Sequence, residues 1–255
     1  MKAIILAGGL GTRLEEITKT IPKPMVKIKK KPIILHVMHT FIKFGHCDFI
    51  IALGYKGEKI IEYFLNKKIT VTIKNNLKTG FIIKKKWVGK ECVLTFLDTG
   101  QSTMTGGRLK RAAELIKEDK FFVTYGDGIG NINLSNLKKF HIKKNKLITV
   151  TAVNPPARFG EIIFKNNKVI KFTEKKPIKS SWINGGYFII NKKFIKFIKN
   201  DQTILERYPL EHAAKTEQLA AFKHSSFWQC LDTKRDIAYI ESALNKIIKW
   251  RKKYL

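Results

Sequence analysis

The sequence predicts an α/β protein: a mixed, mostly parallel sheet flanked by helices, with a smaller antiparallel part toward the C-terminus. Three observations predict it. Short, fully apolar runs of strand length alternate with helix-spaced amphipathic segments over roughly the first 130 residues, the rhythm of a mostly parallel sheet. Beyond that point strands follow one another with tight turns between them. At 255 residues and 44% hydrophobic content, the chain can bury one large core or a core plus a small satellite.

Taken in order, KAIILA (2–7) is a short buried strand. PIILHVMHTFIKFG (32–45) has helical spacing, with Pro32 suited to a first turn and Gly45 to a stop. DFIIALG (48–54) is a second buried strand and KGEKIIEYFLNK (56–67) a helix. VLTFLDTG (93–100) reads as strand, GGRLKRAAELIKED (106–119) as amphipathic helix and FFVTYGDG (121–128) as strand. LITVTAV (147–153) is another strand, and GEIIFKNNKVIKFTEK (160–175) is a hairpin turning at Asn166-Asn167. WINGGYFII (182–190) is the last strand assigned. TKRDIAYIESALNKIIKWRKKYL (233–255) is a basic amphipathic helix, expected to pack on the body rather than anchor to a membrane. No repeat, linker or domain break interrupts this order, so a single domain over 1–255 is expected.

The bulk numbers exclude several classes. No segment approaches the roughly 20 apolar residues of a membrane span, and the run Ala3–Ala7 is too short for a signal-peptide core, so a cytoplasmic location is expected. Cys47, Cys92 and Cys230 are odd in number and widely spaced, which is neither a disulfide framework nor a zinc pattern. The net charge of +30 would suit nucleic-acid or membrane binding. Against that, 43 of the 50 basic residues are lysines, scattered along the chain without aromatic residues to stack bases. No nucleic acid and no membrane are therefore expected as partners.

In α/β sheets ligands bind at the carboxyl ends of strands, and three loops there carry unusual chemistry. LAGGLGTRL misses the G-x-G-x-x-G pattern at Leu14 and has no Gly-Lys-Ser/Thr, yet its glycines allow backbone N–H groups close to phosphate oxygens. Arg13 adds a permanent charge, and Lys23 is presented between two prolines. TYGDG places Asp127 between glycines after an apolar strand, and FWQCLDT places Asp232 after another apolar run. Two such aspartates suit Mg²⁺ in a phosphoryl or nucleotidyl transfer, with an Asx-type turn as the alternative for Asp127. TEKKP and WINGGYF supply Glu174, Lys175, Asn184 and Gly185, groups able to bind a sugar phosphate or, equally, a surface charge pair with a β-bulge.

In this order, G-G-x-G-T-R-L, P-K-P, G-D, E-K and N-G-G resemble the sugar-1-phosphate nucleotidyltransferases. LDTGQSTMTGGRLKR, RFGEI and FWQCLDTKRD narrow the resemblance to members using CTP and glucose 1-phosphate, from Met1 to about Ile240. The resemblance implies a Rossmann-like fold of the nucleotide-diphospho-sugar transferase type. It implies a nucleotide-binding half over 1–130, a sugar-phosphate half with the C-terminal helix over 131–255, and a homo-oligomer. It implies that Leu6, Ala7, Gly8, Gly9, Gly11, Thr12 and Arg13 wrap the CTP, with Gly126 beside them. Lys23 would sit on the transferred phosphate, and Ser102, Gly107, Arg108 and Arg111 would belong to the base-reading segment. Asp127 and Asp232 would bind Mg²⁺. Gly160, Glu174, Lys175, Asn184 and Gly185 would hold the sugar 1-phosphate. Its product would feed deoxysugar synthesis for cell-surface polysaccharide. Two segments depart from the pattern: Lys29-Lys30-Lys31-Pro32 replaces a Gly-Gly-Lys-Pro turn, and Asn75–Lys90 matches nothing in it.

Overall fold

The computed structural model describes residues 1–65, 80–87, 89–155, 160–174 and 181–247. The apolar runs become strands β1 (Ala3–Leu6), β4 (Asp48–Leu53), β6 (Lys90–Asp98) and β7 (Lys120–Tyr125). Between β1 and β4 lie α1 (Glu15–Thr18), the two-residue pair β2 (Lys27–Ile28) and β3 (Lys31–Pro32), and α2 (Ile33–Lys43). Helix α3 (Gly57–Leu65) and strand β5 (Gly80–Trp87) precede β6, and α4 (Thr105–Glu114) leads to β7. There follow β8 (Gly128–Gly130), α5 (Leu134–Lys144), β9 (Ile148–Val153), β10 (Glu161–Lys165), β11 (Lys168–Thr173) and β12 (Ile183–Asn191). The chain then forms α6 (Tyr208–Lys215), β13 (Leu219–His224), β14 (Trp228–Cys230) and α7 (Lys234–Ile247).

The main sheet has eight strands in the order β13-β9-β12-β7-β1-β4-β6-β5. Its centre, β7-β1-β4-β6, is parallel, as expected for crossovers through buried helices. Strand β12 enters antiparallel between β7 and β9, which is the physical content of the changed rhythm after residue 130. The later strands thus extend the central sheet, and the smaller antiparallel parts are the pairs β10-β11 and β14-β8. The hairpin turns where expected: Asn166 and Asn167 both take positive φ (46° and 63°), the two-residue turn that Asn tolerates.

Two apolar layers sandwich the sheet. Residues Ile33 to Ile42 of α2 are all buried, and Ile34, Val37, Met38 and Phe41 pack with Phe49, Phe96 and Phe122 on one face. Helix α4 and the 3-10 turn Lys192–Phe197 cover the other. Each such fully buried aliphatic or aromatic side chain contributes roughly 1.5–3 kcal/mol. Ile240 and Leu244 of α7 pack against Leu14, Val26, Ile28 and Ile129, so the described part of the C-terminal helix docks on the body. None of the described helices is long and apolar enough to cross a membrane.

Candidate active site

A cavity of about 720 Å³ opens where β1, β6 and β7 end and where the antiparallel β12 begins. The first loop lines it with Leu6, Ala7, Gly8, Gly9, Gly11, Thr12 and Arg13. Lys23, Ser102, Arg108, Gly126, Asp127, Asn184, Gly185 and Asp232 complete the set of sequence-selected residues found on its wall.

Four charged groups from distant parts of the chain meet at one point. Lys23 Nζ donates to Asp127 Oδ2 at 2.7 Å and to Asp232 Oδ1 at 2.8 Å. Arg13 bonds the other Asp232 oxygen at 2.5 Å. Burial opposes the charge on Lys23, but the two aspartates outweigh it and raise its pKa. Burial likewise works against the Asp232 carboxylate, yet Lys23 and Arg13 hold it below the usual carboxylate range. Asp232 is placed by a reciprocal cap at the start of α7: Asp236 accepts from the backbone N–H of Asp232 and Thr233, at 2.9 and 2.7 Å. The neighbouring Cys230 thiol is pushed up to about 12 by burial and by Asp232 and Asp127, so it is no nucleophile at neutral pH.

The carboxylates of Asp127 and Asp232 face Lys23 and Arg13 and present hard oxygen donors at one point. Among the described residues no group of three or more His, Cys, Asp or Glu is arranged to hold a metal ion. Such a pair fits a hard divalent ion that takes one or two carboxylates and completes its shell with phosphate and water, as Mg²⁺ does.

Of the base-reading segment, Ser102 and Arg108 lie on the cavity wall, and Gly107 and Arg111 lie off it. Arg108 is only 4% exposed, and its guanidinium faces inward. Its Nη1 donates to the carbonyl of Leu53 (2.7 Å), the Thr99 hydroxyl (2.7 Å) and the carbonyl of Gly100 (2.8 Å). Its Nη2 donates to the carbonyls of Gly8 (3.0 Å) and Gln101 (3.1 Å). The side chain therefore stitches together the loops leaving β1, β4 and β6. Gly8 is required by this packing, since a Cβ there would lie 2.3 Å from the guanidinium. Arg111 lies off the cavity wall: it pairs with Asp201 at 2.5 Å and donates to the Thr99 carbonyl. Gly107 also lies off the wall, its α-carbon pressed against Asp201, where a Cβ would approach to 2.5 Å.

On the opposite wall, the N-G-G segment is a bulge in β12, with the register shifting between Asn184 and Phe188. Gly186 takes φ +74° with Tyr125 against it, a position closed to a side chain. Gly160 and Glu174 sit at the open end of the β10-β11 hairpin and are not on the cavity wall; Lys175 lies outside the described residues. Residues the sequence reading passed over are Thr105, Tyr125, Trp228 and Glu206. Trp228 donates to the Gly185 carbonyl at 2.7 Å, and the Tyr125 hydroxyl bonds Glu206. Burial and the Glu206 carboxylate raise the Tyr125 pKa well above its ordinary value.

A glycine-lined strand end, an Arg–Lys pair and two converging carboxylates on a mostly parallel sheet define an enzyme that handles a nucleoside triphosphate. The nucleotidyl transferase family model matches residues 2–245, and the chain belongs to that family. The chain is 43% identical over 96% of both chains to the glucose-1-phosphate cytidylyltransferase of Salmonella typhimurium. It is 37% identical to the probable glucose-1-phosphate cytidylyltransferase of Bacillus subtilis, over 96% of this chain and 97% of that one. In fold it is similar to HddC from Yersinia pseudotuberculosis, with TM-score 0.69 at 24% identity over 95% of this chain and 99% of that chain.

Proposed function

We propose that the protein transfers a cytidylyl group from CTP to α-D-glucose 1-phosphate, releasing pyrophosphate and forming CDP-glucose. The observation that carries this reading is the meeting of Arg13, Lys23, Asp127 and Asp232 in one cavity beneath a glycine-rich loop. The names of the relatives support the choice of base and sugar.

A phosphate oxygen of the sugar phosphate forms a bond to the α-phosphorus. The bond from that phosphorus to the oxygen bridging the β-phosphate breaks, and pyrophosphate leaves with the electron pair. The attacking oxygen is already anionic, so no side chain has to remove a proton. Positioning and charge neutralisation remain for the protein to supply. Backbone N–H groups of the first loop lie along the triphosphate, Arg13 faces the leaving pyrophosphate, and Lys23 sits on the transferred phosphate. Asp127 and Asp232 would hold Mg²⁺, which would supply further neutralisation of charge on the triphosphate. Asn184 and Gly185 hold the sugar. Met104 and Thr105, on the cavity wall beside Ser102, join the base-facing side.

Cytoplasmic action is proposed as well, supported by three free thiols that suit a reducing compartment. A homo-oligomer is proposed from the hairpin, where Phe164, Val169, Ile170 and Phe172 are each more than half exposed.

The test is pyrophosphate release across the four NTPs, each paired with several sugar 1-phosphates in the presence of Mg²⁺. CTP with glucose 1-phosphate should give the highest kcat/KM. Preference for another base or another sugar would overturn that substrate assignment, and no release from any pair would overturn the transferase reading itself.

A further inference from the structure

The main sheet ends at β13, far along the strand order from the charged centre. Among the described residues β13 pairs only with β9, in parallel, with Leu219 opposite Ile148 and Lys223 opposite Ala152. In a parallel ladder alternate residues of a strand turn both backbone groups to the same side. The N–H of Ile148 donates to the Gln218 carbonyl at 3.1 Å, which puts Gln218, Ala220 and Phe222 on the inner side. Leu219, Ala221 and Lys223 therefore aim their N–H and C=O groups away from the sheet.

These residues line a groove of about 790 Å³ that shares no wall residue with the active-site cavity. Two helices flank it on opposite faces of the sheet. Phe140 of α5 meets Phe222 at 5.5 Å between ring centroids, whereas Leu210 and Ala213 of α6 lie with Leu219 in the other apolar layer. A strand entering the groove would be covered on both faces, which calls for apolar side chains along its middle.

The ends of the groove are cationic. Lys144 and Lys146 stand near Leu219, where Glu217 is the one acidic wall residue, and Lys223 stands at the far end. The two ends are separated by four strand steps, roughly 13 Å. Aromatic rings hold two of these ammonium groups without neutralising them: Lys144 over Phe140 at 5.7 Å and Lys223 over Trp182 at 5.3 Å. Among the described residues none of the three lysines pairs with a carboxylate. Lysines on an open edge keep two like edges apart, and the net charge of +30 works in the same direction. The same charges favour a strand that brings carboxylates.

We propose that β13 is a docking edge for an extended acidic segment of a partner protein, which adds as a ninth strand with an apolar middle and a carboxylate at each end.

The probe is a fluorescent acetyl-Glu-Val-Ala-Val-Glu-amide titrated into the full chain by polarisation, against a counterpart with lysine at both ends. The glutamate peptide should bind and the lysine peptide should not. A221P removes one outward N–H and leaves the ladder to β9 intact, since proline is accommodated where an edge strand faces out. It should weaken binding roughly tenfold, the size of one hydrogen bond. The double variant K146E/K223E should weaken the glutamate peptide by a similar factor and let the lysine peptide bind, a reversal that a misfolded chain would not give. By NMR, exchange of the Leu219, Ala221 and Lys223 amides should slow roughly tenfold with the glutamate peptide at saturation, while that of Ala220, already paired, stays constant. Binding that survives A221P, or outward amides that stay unprotected, would reduce the contact to attraction between charges and overturn strand addition. Failure of both peptides to bind would overturn it as well, leaving the lysines as guards of the edge. Wild type that sediments as a larger species than A221P would assign the edge to a second copy and overturn the acidic partner.

Discussion

The two walls of the cavity are held by opposite means. On the nucleotide side one buried cation, Arg108, bonds four backbone carbonyls and one hydroxyl from three loops. On the sugar side separate side-chain pairs do the work: Glu206 accepts from the Thr105 and Tyr125 hydroxyls, and Asn184 accepts from the Gly186 N–H. Backbone carbonyls are present whatever the side chains, so the first wall depends on one residue and on room for it. The second wall rests on side-chain hydrogen bonds, so each of its contacts depends on the identity of the residues that make it. The first wall is a matter of shape and stability, the second of polarity.

The charged centre between the walls gives the largest expected effects. Asp127→Ala at saturating Mg²⁺ should lower turnover by about 10³-fold or more, since a carboxylate serving the triphosphate is lost. Near-normal rates in that variant would dissolve the centre as an active site. Lys23→Met should lower kcat by roughly 10²–10³, the usual loss for one well-placed electrostatic contact in a transition state. A change confined to KM would make Lys23 a binding group only.

Arg108→Met tests the first wall. It leaves buried carbonyls of Gly8, Leu53, Gly100 and Gln101 without their donor, with a cost of about 3–5 kcal/mol in urea or thermal unfolding. E206Q should cost far less in the same measurement. Equal losses would erase the distinction between the two walls. The charged centre also sets a pH dependence. Asp232 has a lowered pKa in the fold, so its contribution to stability is complete above the ordinary carboxylate value and is lost as pH falls through the folded one. The stability gap between wild type and Asp232→Asn should therefore shrink as unfolding is followed from pH 6 down to 3. A constant gap would mean that Arg13 and Lys23 do not act on that carboxylate.

Much of this architecture is legible in the residues, and the exceptions share a cause. The apolar runs at Ala3–Leu6 and Asp48–Leu53 could be nothing but buried strands, and Asn166-Asn167 names its own turn. The cavity residues around Gly9, Lys23, Asp127 and Asp232 stand out because glycine, proline and carboxylates at strand ends are chemically conspicuous. Helix α5 escaped notice because its apolar face is weak, although Asn133 caps it by accepting from Asn136 N–H at 3.0 Å and Asn145 ends it with φ 49°. Strand β13 escaped because an edge strand, half exposed, lacks a continuous apolar run. Arg108 looked like a ligand group because its sequence neighbours do not reveal whether a guanidinium turns out to a nucleotide or in to carbonyls. Glu206 gave no local sign at all, since its partners lie far off in sequence and meet it only when α4 and β7 are in place.

The smallest effect belongs to the region most unlike the stitched wall, the β10-β11 hairpin. Phe164 is 68% exposed, opposite Val169 at 55%, so little apolar area leaves water when the hairpin forms. The Asn166-Asn167 turn holds the strands without it. Phe164→Ser should therefore shift the unfolding free energy of dilute protein by less than about 0.5 kcal/mol, against several for Arg108→Met. Because the proposed self-association would cover these same side chains, the variant should also sediment as a smaller species at concentrations where wild type is assembled. A stability loss approaching that of Arg108→Met would show the hairpin to be part of the folded core. Unchanged sedimentation would move the subunit contact elsewhere while leaving the contrast between the two walls intact.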